Sequence, residues 1–228
     1  MTNIGIITPM NMKDRFQRWF KPRFAIMYPF GIIVLIFCSS DEHSLKLGIG
    51  YIIAGLLIRL WSNGYAIKND KLTTSGPYSF VRNPLYLGTF LIVLGFVITL
   101  KMSWAGLAFM IALAFVYYRT VQGEQQDLLA KFGENYKDYS SKVPAMVPCL
   151  IPYTRGEKWP FSLDRLIFSK EHKSIVWITV LLIFFHLKTR LFIEHKALTP
   201  RSWLLIILAV TLIAADILFE VNKKSAKK

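Results

Sequence analysis

Apolar residues in this chain come in long blocks rather than at a short helical or strand period. The blocks cover 24–40, 45–65, 85–100, 102–121, 174–187 and 202–221, the fifth reaching on toward Phe192. Blocks of this length predict membrane-spanning helices. Lys101 alone separates the third and fourth blocks, which predicts a tight hairpin. The first block contains Pro29 and Gly31, residues that bend helices. A charged stretch precedes it, and no small-residue cleavage site follows, so it reads as a span and not a signal peptide. The expected fold is an all-α, polytopic integral membrane protein of about six transmembrane helices. Its expected divisions are a basic segment at 1–23, a core at 24–150 and a two-helix extension at 151–228.

Charge orients the blocks. Placing both termini in the cytoplasm leaves twenty Lys/Arg on inside segments: five in 1–23, three in 62–84, eight in 122–173 and four in 222–228. Outside segments hold six. The excess follows the positive-inside rule. It puts the long polar stretch 122–173 and the turn SGPYSFVRNPLYLG at 75–88 on one face. The net charge of +14 raises nucleic acid as a partner. The cations flank apolar blocks, however, and no nucleic-acid-binding motif accompanies them, so anionic lipid headgroups are the expected partners. The 54% hydrophobic content and mean hydropathy of +0.39 agree with a membrane chain. Cys38 and Cys149 form neither a disulfide framework nor a metal spacing, and His43, His172, His186 and His195 are dispersed. No metal site is expected.

The polar stretch is ordered. Leu128, Phe132, Tyr136, Tyr139 and Val143 fall at spacings of four, four, three and four, one face of a helix. Gly133 is placed to interrupt that helix, and Pro144 and Pro148 to end it. Two readings stand: a helix lying on the membrane surface, or a lid over a site with Glu124 at its membrane end.

The turn 75–88 combines Gly76–Pro77 and Asn83–Pro84, dipeptides that break helices. Non-helical backbone at membrane depth needs a protein or cavity lining. Arg82 offers a planar fork for a carboxylate or phosphate, and Tyr78 and Tyr86 offer aromatic faces. Gly76 and Gly88 permit close approach. Taken alone, the turn also fits a plain connector with interfacial Tyr and Arg. Arg119 reads as a snorkelling anchor first and a substrate contact second, and Arg59 is similar. Asp216 and Glu220, in the last block, are expected to pair with the terminal lysines.

Two linked motifs carry a resemblance. LTTSGPYSFVRNPLYLGTFLIVLGF is followed by a hairpin and then GEQQDLLAKFGENYKDYSSKVPAMVP. Over about residues 45–150 this resembles the isoprenylcysteine carboxyl methyltransferase family, within the broader phospholipid methyltransferase superfamily. Gly76, Tyr78, Arg82, Asn83, Pro84, Tyr86 and Gly88 match its first motif. Glu124, Leu128, Phe132, Gly133, Tyr136, Tyr139, Val143 and Pro144 match its second. The resemblance implies S-adenosylmethionine as cofactor and a lipophilic acceptor from the bilayer: an isoprenylcysteine-type or isoprenoid carboxylate, or a phospholipid amine. It implies a cofactor site of Gly76, Tyr78, Arg82, Asn83, Pro84, Tyr86, Gly88, Glu124, Gln125 and Tyr136. Arg82, Glu124 and Arg119 are the candidate catalytic residues. The eukaryotic pattern has histidine at Asn83 and a second glutamate at Gln125. Asparagine is frequent in bacterial members, so a bacterial inner membrane is the expected location. The rival expectations are a nicotinamide-dependent membrane reductase of related fold and a non-catalytic scaffold.

Overall fold

The computed structural model describes residues 31–67 and 71–225. The start of the first apolar block, 24–30 with Pro29, lies outside them, as does the basic segment 1–23. Contacts divide the chain into Met1–Cys38, of which 31–37 is helical, and Ser39–Lys228, which holds everything that follows.

Seven α-helices make up the described part of the second unit: α1 (Glu42–Tyr65), α2 (Pro84–Thr99), α3 (Ser103–Phe132), α4 (Glu134–Lys142), α5 (Leu163–Phe168), α6 (Glu171–Lys188) and α7 (Pro200–Ser225). A 3₁₀ turn covers Gly76–Ser79, and a π turn at Thr189–Ile193 extends α6. No strand occurs among the described residues. The fold is all-α, as expected. Four helical stretches are long and apolar enough to cross a membrane: Glu42–Tyr65, Ser103–Phe132, Glu171–Ile193 and Pro200–Asn222. α2 is apolar but shorter. The protein is an integral membrane protein.

Local chemistry explains the element ends. Asp41 caps α1, accepting from the Ser44 amide at 2.7 Å, while Ser44 Oγ accepts from the Asp41 amide at 3.0 Å. This reciprocal box satisfies donors that an uncapped helix leaves open. Pro84 opens α2, where its missing N–H costs nothing. The expected hairpin at Lys101 is present, with that residue at φ 52 between α2 and α3. α3 does not stop near residue 121 as the hydropathy suggested. It runs unbroken to Phe132, because only Gly123 interrupts an otherwise helix-compatible run, so Glu124 belongs to the spanning helix itself. Gly133, at φ 53, then breaks the helix where the sequence placed the break.

α1 and α2 pack most intimately. A Cβ on Gly55 would lie 2.5 Å from the Gly88 carbonyl oxygen, and one on Gly95 2.7 Å from the Gly48 oxygen. Two glycines seven residues apart on each helix thus set antiparallel backbones almost in contact. The extension is tied to this pair. Arg59 donates from Nε and Nη2 to the two carboxylate oxygens of Glu171, at 2.6 and 3.0 Å, and from Nη1 to Thr89 at 2.6 Å. Asn63 also donates to Glu171, which is almost fully buried. Arg59 is therefore half of a forked ion pair and not an anchor reaching for water. Glu220 pairs with Lys173 at 2.8 Å and Lys170 at 3.5 Å, and Asp216 faces His172 at 3.7 Å. The acids of α7 thus meet the start of α6, since antiparallel packing brings those two ends together; the expected pairing with the terminal lysines lies outside the described side chains.

Candidate functional site

The turn before α2 and the far half of α3 meet at one end of the unit. Gly76 has φ 59, and a Cβ there would strike the Tyr65 ring at 2.5 Å, so both conformation and space call for glycine. From this bend the chain makes its 3₁₀ turn and reaches Asn83–Pro84.

A strap spanning 144–153 runs along that turn. The amides of Arg82 and Asn83 donate to the carbonyls of Pro144 and Ala145, at 2.9 and 3.2 Å. The amides of Cys149 and Tyr153 donate back to Phe80 and Ser79, each at 2.9 Å. The Asn83 side chain adds a bond to the Ala145 carbonyl at 3.0 Å. These bonds satisfy a non-helical backbone that would otherwise be left open beside a membrane.

Behind the strap, Tyr136, Tyr139 and Val143 form a buried cluster with Leu72, Leu128, Phe132 and Tyr153 against it. The helical face read from the sequence is this cluster. Tyr139 donates its hydroxyl to the Tyr78 carbonyl at 2.6 Å, and burial pushes its phenol well above the usual range. Tyr153 donates to Asp138 at 2.8 Å. Asp138 is held below the ordinary carboxylate range by Lys142 first and Tyr153 second.

The polar groups converge in front of this cluster. Arg82 Nη1 donates to the Tyr136 hydroxyl at 3.0 Å, while its Nε is buried without a hydrogen-bond partner. Tyr86 donates to Glu124 Oε1 at 2.7 Å, and its ring packs on Tyr117 with centroids 4.8 Å apart. Tyr117 and Glu124 are seven residues apart, two turns along one face of α3. Tyr78 is pushed far above the usual phenol range by burial first and then by the negative charge of Glu124. The structure thus brings together Tyr78, Arg82, Tyr86, Glu124 and Tyr136.

Other expected site residues sit otherwise. Pro84 is fully buried at the start of α2. Gly88 faces the Gly55 oxygen and the Arg59 side chain, so α1 fills its approach. Asn83 is spent on the strap. Arg119 is exposed, five residues from Glu124 and so well around the helix from it. Gln125 is half-buried beside Glu124. Tyr117 and the strap were missed in the sequence, although Tyr117 carried a signal in its seven-residue spacing to Glu124. No group of three or more metal-ligating side chains occurs among the described residues.

A half-buried guanidinium with an unpartnered Nε, and a carboxylate held by Tyr86, are complementary to a ligand that bears both an acid and an amine. The family model of phospholipid methyltransferase matches residues 46–135, which hold most of α1, the turn, α2 and all of α3. This stretch is similar to the phospholipid methyltransferase family. Its relatives carry different names. The chain is similar to cobalt-zinc-cadmium resistance protein CzcN of Cupriavidus metallidurans, 31% identical over 121 residues, 52% of this chain and 55% of that one. It is similar to protein-S-isoprenylcysteine O-methyltransferase of Schizosaccharomyces pombe, 35% over 85 residues, 37% and 36%. It is also similar to steroid 5-alpha-reductase DET2 of Solanum lycopersicum, 31% over 106 residues, 43% and 41%. The chain thus spans between about a third and about half the length of these curated relatives. No solved structure matches it. The Arg82–Tyr136 and Tyr86–Glu124 pairs join the turn to α4 and α3, with Tyr136 one residue past the matched stretch.

Proposed function

We infer that the chain is an S-adenosylmethionine-dependent membrane methyltransferase acting on a lipophilic acceptor at the cytoplasmic face. The observation that carries this reading is the joining of the two family motifs at one site, through Tyr86–Glu124 and Arg82–Tyr136. The site's charges suit the cofactor, which has a carboxylate for Arg82 and an amine for Glu124. When bound, it supplies an electrophilic methyl group on a sulfonium.

The chain's own residues position. Arg82 is held by Tyr136 with Nε left to donate, and Tyr86 fixes one oxygen of Glu124. Tyr78 and Tyr86 present aromatic faces beside these charges, and burial keeps the Tyr78 phenol un-ionised. Methyl transfer is an in-line displacement that gains most from alignment. A carboxylate acceptor is already ionised at pH 7 and needs no base. An amine acceptor needs one, and Glu124 is the carboxylate at hand. The isoprenylcysteine-type or isoprenoid carboxylate and the phospholipid amine remain the acceptor classes.

Similarity to a protein named as a steroid reductase supports a second reading, reduction with a nicotinamide cofactor. Thermal unfolding of the detergent-purified protein separates the two. A ligand that binds only the folded state raises the midpoint. S-adenosylhomocysteine is expected to raise it and NADPH is not. A rise with NADPH alone would put the reductase in place of the methyltransferase, and a rise with neither would favour a scaffold.

A further inference from the structure

The strap carries an edge that the site does not use. Val147, Leu150 and Ile151 are 74%, 96% and 81% exposed, among Pro144, Pro148 and Pro152. A loop with three bulky apolar side chains turned outward is unusual at a water-facing surface. Its position along the membrane normal follows from its bonds. Pro144 and Ala145 accept from the amides of Arg82 and Asn83, immediately before the first residue of α2. α2 has 16 residues, hence a length of about 24 Å, less than the roughly 30 Å of a hydrocarbon core. A helix that short keeps its first turn at or inside the headgroup boundary. The strap pinned to that turn lies at the same depth.

Its flanks agree. Arg155 and Lys158 are exposed beside it, and cations next to apolar side chains suit anionic headgroups. Downstream, α5 presents Leu163, Ile167 and Phe168 as further exposed apolar groups, with Arg165 turned back to the Gly64 carbonyl at 3.0 Å.

We propose that the 144–152 strap is an in-plane membrane anchor whose Val147, Leu150 and Ile151 enter the boundary between headgroups and acyl chains. The occupant of this edge is bilayer lipid. Three prolines keep the strap out of helix, so its backbone groups bond the turn while its bends at 145–147 and 150–151 leave Val147, Leu150 and Ile151 outward. The anchor fixes the lipid surface beside Asn83 and Arg82. An amphipathic acceptor, its chain in the bilayer, then meets the charged site without leaving the membrane. That last consequence rests on the methyltransferase reading; the anchor itself does not.

The test uses the full chain with Cys38→Ser and Cys149→Ser, reconstituted in phosphatidylethanolamine–phosphatidylglycerol vesicles. A polarity-sensitive fluorophore is attached at Leu150→Cys, and in a second variant at Val147→Cys. Ser141→Cys on exposed α4 serves as the water control and Phe115→Cys, mid-way along α3, as the lipid control. At 150 and 147 the emission is expected to shift to the blue of that at 141, and to be lost in large part when a nitroxide-headgroup lipid is added. Emission like that at 141 would overturn the anchor. A blue shift without lipid quenching would also overturn it, by pointing to a second copy or another protein on this edge. Both positions are exposed, so failure of one variant to fold leaves the other to decide.

Discussion

Tyr86 and Tyr139 make the two hydroxyl bonds on which the site's shape depends, and they differ in what they do. Tyr139 is buried and donates to a backbone carbonyl, Tyr78 O. Tyr139→Phe leaves that carbonyl unpartnered inside the cluster, and the expected cost is about 1–2 kcal/mol of stability. Thermal or denaturant unfolding measures it. The bond from Tyr86 is exposed and holds Glu124. Tyr86→Phe is therefore expected to leave the unfolding midpoint nearly unchanged and to weaken S-adenosylhomocysteine about tenfold, as loss of one charge-assisted bond allows. Equal affinity in Tyr86→Phe would show that Glu124 does not need its aim set. The resemblance to two linked family motifs marked Arg82, Tyr86 and Glu124; residue type alone also fits a plain connector and a helix-end acid. The sequence did not show the structural bond that Asn83 makes. A hydrogen-bonding side chain next to arginine reads as a ligand contact, while its actual partner, the Ala145 carbonyl, is a backbone atom 62 residues away and leaves no trace in side-chain pattern.

Among the elements, α1 and α2 were legible as apolar helices but their contact was not. Gly88 reads as room for backbone or a ligand, and it is the α1 backbone and Arg59 that take it. The seven-residue repeat of Gly48 with Gly55, and Gly88 with Gly95, was the available signal for that contact. Gly55→Leu drives a side chain into the Gly88 carbonyl, and the expected loss is roughly 1–3 kcal/mol or more, as for overpacked cores; a shift of the unfolding midpoint reports it. α3 ran past its predicted end because hydropathy falls at residue 122 while helix propensity does not, a case where one pattern ends and the other continues. The clamp between α4 and the strap has a pH dependence of definite sign. The Asp138 pKa is lowered in the folded chain, by Lys142 first. Its contribution is fully present above the unfolded value of about 3.9 and is lost as pH falls through the lower, folded value. Hydrogen exchange of the strap amides is expected to be unaffected by this clamp from pH 5 to 8, apart from intrinsic exchange chemistry, and to lose protection only in strong acid. Loss of protection near neutral pH would assign the clamp to another group.

Across the whole molecule, the last two helices are part of the same unit as the core and not an appendage. Arg59 and Glu171, 112 residues apart, form a forked and largely buried pair that also engages Thr89 and Asn63. Removing one partner leaves a charge stranded, so Glu171→Gln is expected to cost roughly 3–5 kcal/mol. The sequence read Arg59 as an anchor because pairing across that distance follows from three-dimensional packing alone. All-α architecture, the hairpin at Lys101 and the break at Gly133 were legible, because apolar block length and glycine chemistry are local. The central claim is that Arg82 and Glu124 hold one ligand between them. Isothermal titration of S-adenosylhomocysteine into the purified wild-type protein, Arg82→Ala and Glu124→Ala tests it most directly, with the unfolding midpoint of each recorded without ligand. Saturable binding to the wild type and loss of most affinity in both variants, each still folded, are expected. Wild-type affinity retained in both folded variants, or no binding to the wild type, would contradict it.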